Sequence, residues 1–151
     1  MKKSTRYLFL LAILGSSVLS LVDQLIKQYI LLRNNVDIPL GSIGKLTYSE
    51  NTGIAFGIPI PQYFLIIAIL ILLPVIVYLI SKEFNIKNKL VFIALTLIIS
   101  GGIGNLLDRI FRGFVIDYVS ILSYPIFNLA DVFITFGVLL LIVFYSKIKK
   151  D

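Results

Sequence analysis

Hydrophobic positions in this chain fall in long, nearly unbroken blocks, and the polar positions gather between them. Tyr7–Val22 is apolar apart from small Gly and Ser, and the pattern runs on past Asp23 to Leu32. Tyr63–Ile80 is interrupted only by Pro74, and Leu90–Leu107 carries Thr96, Ser100, three glycines and Asn105. The last block, Pro125–Tyr145, has Asn128 and Asp131 near its start. Blocks of about 20 residues, rising ~1.5 Å each, match the ~30 Å hydrocarbon layer of a bilayer. Because backbone polar groups in lipid must be satisfied internally, such blocks form helices. The pattern therefore predicts an all-α polytopic membrane protein, a single domain over 1–151 with spans at about 7–32, 61–81, 89–109 and 125–146.

Between the blocks the periodicity changes. Within the external segment at about 33–60, Val36–Leu46 mixes β-branched residues with Pro39, Gly41 and Gly44. That reads as short strands and turns, a small β-element between helices 1 and 2 lying at the membrane surface. In the second external segment, about 110–124, Ile116–Leu122 is too short and mixed to assign, with a short helix or a loop as the options.

Charge sets the orientation. Lys2, Lys3 and Arg6 precede the first span, Lys82, Lys87 and Lys89 lie between the second and third, and Lys147, Lys149 and Lys150 follow the fourth. The positive-inside rule places both termini in the cytoplasm and both longer polar segments outside. No small-residue cleavage site closes the first block, so it is expected to be a retained anchor helix.

Of the 151 residues 58% are hydrophobic and 15% charged, short of the quarter or so expected for a soluble domain of this size. The net charge of +6 is accounted for by boundary lysines and shows no basic patch with interleaved aromatics, so no nucleic-acid partner is expected. The chain has no Cys and no His. That removes a cysteine nucleophile, a Ser-His-Asp triad and any His- or Cys-ligated zinc. No metal and no cofactor are expected, and a monomer is.

The polar residues inside or beside the spans fall on one side of the membrane: Asp23 and Lys27, Asn51, then Asn105, Asp108 and Arg109, then Asp117, and finally Asn128 and Asp131. If the fourth helix starts near Pro125, Asp131 lies about 9 Å along its axis, where a carboxylate needs a partner, water or a proton. Blander readings stand beside this one. Asp23 and Lys27 have the spacing of a structural ion pair, Asp108–Arg109 that of an interfacial anchor. Gly101, Gly102 and Gly104 suit close helix packing, and Tyr7, Tyr63, Tyr124 and Tyr145 an aromatic belt. Two carboxylates held together share a proton, and such a pair can activate water against a peptide carbonyl. On the residues alone, Asp117, Asp108 or Asp23 could each partner Asp131.

Five ordered motifs then narrow the choice: Asp23-Gln-Leu-Ile-Lys27, Asn51-Thr-Gly-Ile-Ala-Phe-Gly57, Gly101-Gly-Ile-Gly-Asn-Leu-Leu-Asp-Arg109, Gly113-Phe-Val-Ile-Asp117 and Phe127-Asn-Leu-Ala-Asp131. Together they resemble the bacterial lipoprotein signal peptidases, signal peptidase II, over nearly the whole chain. The resemblance implies an aspartyl endopeptidase that cuts prolipoproteins before a diacylglyceryl cysteine at the outer face of the cytoplasmic membrane. Its partners would be lipidated signal peptides and membrane lipid. By motif match, Asp117 and Asp131 take the dyad positions, with Asp23, Lys27, Asn51, Asn105, Asp108, Arg109 and Asn128 as supporting or substrate-binding residues. Ile26 and Val132 stand where hydroxyl residues are common in the family. The rival readings are a small proton- or ion-coupled transporter using Asp131 and Asp23, a structural subunit without chemistry, and a Ser–Lys pair of Lys27 with Ser49 or Ser120.

Overall fold

The computed structural model describes residues 3–33, 36–54, 60–122 and 125–150. Lys2, Tyr124 and the Ala55–Gly57 end of the second motif lie outside the described residues. Four apolar helices form a bundle: α1 (Lys3–Leu32), α2 (Gln62–Glu83), α3 (Lys89–Phe111) and α4 (Leu129–Val143), the last followed after Phe144 by a short turn of helix, α5 (Tyr145–Ile148). Helix α3 is central and packs against each of the other three. Three helices, α1 to α3, are long and apolar enough to cross a membrane.

Helix α4 has 15 residues, about 22 Å at the standard rise. It begins four residues later than the apolar pattern predicts. The reason is that Phe127 is drawn into strand pairing, exchanging backbone bonds of 2.8 and 3.0 Å with Val119. Asn128 then caps the helix, and Asp131 falls in its first turn rather than 9 Å along it.

The packing is inverted relative to a soluble protein. Leu10, Leu14, Leu21 and Leu25 of α1 and Leu70 and Ile71 of α2 are exposed, as expected of side chains facing lipid. Ser16, Ser20, Asp23 and Lys27 are buried on the opposite face of α1. At one end of the bundle Phe84, Val91, Ala94, Ile98, Leu141 and Ile148 form an apolar core. At the other, Ile30, Val36, Ile116 and Tyr118 form a second core beneath a small sheet.

That sheet has three antiparallel strands in the order β1 (Asp37–Pro39), β2 (Gly44–Asn51), β3 (Val115–Ile121). The first two confirm the β-element read between helices 1 and 2. The third corrects the sequence reading of 116–122, where neither a helix nor a loop is present. Val115 to Tyr118 are all buried, so the strand shows no alternation in sequence. The β2–β3 register shifts between Leu46 and Ser49, leaving one extra residue on β2. Beyond that bulge Ser49 faces Asp117 and Asn51 faces Val115, which places Asn51 and Asp117 as diagonal neighbours on one face.

The glycines of α3 serve close packing. A Cβ on Gly101 would lie 2.2 Å from the Ala130 carbonyl oxygen, and one on Gly104 would lie 2.6 Å from the Asp23 carboxylate. Tyr7, Tyr63 and Tyr145 are exposed along the helix surfaces.

Candidate active site

The site is built around a buried lysine held among three oxygens. Lys27 is fully buried, one turn after Asp23 on α1, and its ammonium lies 2.8 Å from Asp23 Oδ2 and 3.0 Å from Asp108 Oδ2. It donates to Asn105 Oδ1 at 3.0 Å. Two carboxylates and an amide oxygen surround the ammonium, and among the described residues it makes no hydrogen bond to a serine, so nothing here places Lys27 as the base of a Ser–Lys pair. Asp23 in turn accepts the Ala130 backbone N–H at 3.1 Å, and Asp108 accepts that of Ile116 at 3.2 Å. One ionic cluster therefore fixes α1 to the first turn of α4 and α3 to strand β3. Asp108 is neither exposed nor an interfacial anchor.

Three asparagines surround the two candidate carboxylates, and the orientation of each amide is dictated by its oxygen. Asn105 Oδ1 faces Lys27, which can only donate, so its Nδ2 points away and donates to Asp131 Oδ1 at 2.8 Å. Asn128 Oδ1 caps α4 by accepting the Asp131 N–H at 3.0 Å, so its Nδ2 reaches Asp117 Oδ1 at 2.6 Å. Asn51 Oδ1 accepts the Gly53 N–H at 3.0 Å, so its Nδ2 donates to Asp117 Oδ2 at 2.9 Å. Asn128 also donates to Asn105 Oδ1 at 3.2 Å, which joins the two halves of the network.

Asp117 is buried on β3, and burial pushes its carboxyl up to about 6. That value is the balance of burial and the charge of Asp131, which raise it, against the Asn51 and Asn128 amides and Lys27, which lower it. Asp131 is half-buried; its Oδ2 accepts the Asn128 N–H at 3.1 Å, completing a capping box at a helix end where a carboxylate is favoured. Arg109 donates to the Gly53 and Asn105 carbonyls, both at 3.2 Å, which ties the external segment to α3.

All nine residues singled out in the sequence thus converge at the sheet end of the bundle. Three others belong with them. Gln24 donates to Asp108 and to the Gly104 carbonyl, both at 3.0 Å. Arg112 pairs with Asp108, and the Tyr118 hydroxyl accepts the Leu129 N–H at 3.2 Å. Asp108 and Arg112 stand four apart with the acid first, a spacing visible in the sequence.

A family model described as signal peptidase (SPase) II matches residues 16–147. The chain belongs to the signal peptidase II family. Among curated relatives, a lipoprotein signal peptidase of Clostridium acetobutylicum is 39% identical over 87% of this chain and 92% of its own length. One from Streptococcus thermophilus is 36% identical over 97% and 95%. A solved bacterial membrane enzyme, determined by the in meso method at 1.9 Å resolution, superimposes with a TM-score of 0.78 at 29% identity, covering 90% of this chain and 92% of that one. As a member of this family the chain is an aspartic-type peptidase of lipoprotein processing, carried on membrane helices. The transport reading is not favoured.

Proposed function

We propose that this signal peptidase II acts as one membrane domain over residues 1–151, removing signal peptides from prolipoproteins by cutting before a diacylglyceryl cysteine. Asp117 and Asp131 form the dyad. The observation that carries this reading is the chain of amides, Asn51, Asn105 and Asn128, which directs four N–H contacts at the two carboxylates and at the hinge between them. The pair shares one proton, as close carboxylates do. Asp131, half-exposed, takes the proton of a water as its oxygen attacks the scissile carbonyl. Asp117, the buried member, carries the shared proton, gives it to the carbonyl oxygen, and the pair returns a proton to the leaving amine.

The placement at the helix ends suits a substrate that arrives in the bilayer, with acyl chains beside apolar helices and water at the sheet. The lysines of the α2–α3 connection and of the chain after α4 lie at the end opposite the sheet, which supports cytoplasmic termini and a site near the outer face of the inner membrane. The site is complete within one chain, which supports a monomer.

The test is cleavage of a purified diacylglyceryl prolipopeptide, read by mass spectrometry. Asp117→Asn and Asp131→Asn are expected to abolish cleavage while remaining folded in detergent. Full activity in either would remove that residue from the dyad. Equal cleavage of the unlipidated precursor would remove lipid recognition from the proposal.

A further inference from the structure

Helices α1 and α3 are joined by a ladder of polar bonds with a constant offset of 80 residues. Ser16 Oγ donates to the Thr96 carbonyl at 2.9 Å, Ser20 Oγ to that of Ser100 at 2.9 Å, and Gln24 Nε2 to that of Gly104 at 3.0 Å. Equal steps of four on two helices running the same way fix one register, and in that register Lys27 meets Asn105. Arg112 closes the ladder at the sheet end. It is the C-cap residue of α3, and its guanidinium binds Asp108 Oδ1, Gln24 Oε1 at 2.8 Å and Gln28 Oε1 at 3.1 Å.

The charges explain why a cation is needed there. Lys27 alone faces two buried carboxylates, Asp23 and Asp108. Arg109, the other cation in the field of Asp108 and of both dyad carboxylates, gives its bonds to the Asn105 and Gly53 carbonyls, so without Arg112 the Asp108 carboxylate has only Lys27 in direct contact and draws the ammonium toward it. Arg112 takes the other oxygen of Asp108 and makes the group neutral. The groups facing Arg112 are Gln24 and Gln28 from α1, Asp108 from α3 and, from β2, Tyr48, whose hydroxyl donates to Glu50 at 2.7 Å. Of these only Asp108 is an ionised group in direct contact with the guanidinium.

We infer that Arg112 is a positioning residue for the dyad: by neutralising Asp108 it leaves Lys27 holding the Asn105 oxygen, and so keeps the Asn105 amide aimed at Asp131. This rests on the dyad assigned above. Loss of the Arg112 charge leaves an extra negative charge near the dyad, which favours its protonated form and moves the acid limb of the kcat/KM profile to higher pH.

The experiment compares pH profiles of prolipopeptide cleavage for the wild type, Arg112→Gln, Arg112→Lys and the double variant Asp108→Asn with Arg112→Gln. For Arg112→Gln the acid limb should rise by about one pH unit, with kcat/KM on that limb down about tenfold and KM at saturating pH within about twofold. Arg112→Lys, which keeps the charge, should keep the wild-type limb. The double variant, which removes both charges of the pair, should return the limb to its wild-type pH even though kcat falls, since Asp108 also holds Lys27 and the Ile116 N–H. A wild-type limb in Arg112→Gln overturns the inference, as does a displaced limb in Arg112→Lys or in the double variant. Should Arg112→Gln fail to fold, Arg112→Met, equally uncharged, takes its place, and a wild-type limb there overturns the inference. Failure of the dyad assignment is distinguishable: Asp117→Asn and Asp131→Asn would then cleave whatever Arg112 does.

Discussion

The Asp117→Asn variant tests the electrostatics of the site apart from its chemistry, because its effect on stability should change with pH. Folding raises the Asp117 carboxyl from the ordinary aspartate value of 3.8 to about 6, chiefly through burial. The folded protein therefore binds a proton that the unfolded chain has released, and wild-type stability falls as pH rises through that window. Above about pH 7 the ionised carboxylate costs the fold about 3 kcal/mol. Asparagine removes that cost. It also introduces one, since Asn51 and Asn128 each donate to a different oxygen of Asp117 and an amide has one oxygen. Neither neighbour can turn over without stranding the Gly53 or the Asp131 N–H. A stranded buried donor costs about 1–3 kcal/mol at every pH.

The variant should thus be less stable than the wild type near pH 4 and equal or more stable near pH 8. The change between those limits, about 2.5 kcal/mol, is independent of the hydrogen-bond penalty. For a chain of this length it corresponds to a swing of about 5–10 °C in the difference of apparent Tm. The chain has no Trp and no Cys, so loss of helical circular dichroism in detergent is the suitable readout. A difference in Tm that stays constant from pH 4 to pH 8 would refute the idea that burial raises this carboxyl.

Three further substitutions probe the frame. Gly101→Ala puts a methyl 2.2 Å from the Ala130 carbonyl and 2.7 Å from Ile134, so α3 and α4 must part; the expected loss is about 2 kcal/mol or more, with no cleavage, and an unchanged Tm would contradict the packing. Asn128→Ala removes the α4 cap and the amide to Asp117 together. It should cost about 1–2 kcal/mol of stability and, by releasing Asp131, about a hundredfold in cleavage rate; calorimetry and the prolipopeptide assay check the two parts. Ser20→Ala deletes one rung of the α1–α3 ladder, at about 0.6 kcal/mol, and cleavage should persist, so its loss would show that the ladder does more than set register.

How far the sequence could be read follows from where each feature's physics resides. Long apolar blocks announce helices because lipid imposes length and composition on them, and α1, α2 and α3 were legible for that reason. The fourth block was legible as a helix, but its start was not, because the competing partner of Phe127 is Val119 on a strand remote in sequence. Strand β3 offers little alternation to read because both of its faces are buried, Ile116 and Tyr118 in an apolar core and Val115 with Asp117 on the other side. Polar residues at helix spacing, Asp23 with Lys27 and Asn105 with Asp108, were visible as candidates. Arg112 was overlooked because a cation at a helix end is ordinary on a membrane surface, and only its contact with Asp108 distinguishes it.

The two aspartates exchange their standing once the structure is considered. Read from the sequence, Asp131 requires a function because an acid deep in a span is costly, whereas Asp117 in an external segment requires nothing. In the fold Asp131 closes a capping box, a role that explains a carboxylate without any chemistry. Asp117 is the acid that burial makes costly. What the cap does not explain is the identity of Asn128. Serine, threonine or aspartate would satisfy the Asp131 N–H equally well. Only an amide side chain does so and still offers N–H donors at its other edge, where Asp117 waits at 2.6 Å. The same two-ended requirement holds at Asn105, between Lys27 and Asp131, and at Asn51, between Gly53 and Asp117. Three positions that each need an acceptor on one side and a donor on the other, all converging on the same two carboxylates, are not demanded by the fold of a four-helix bundle. They are what holding two acids at a fixed mutual orientation requires.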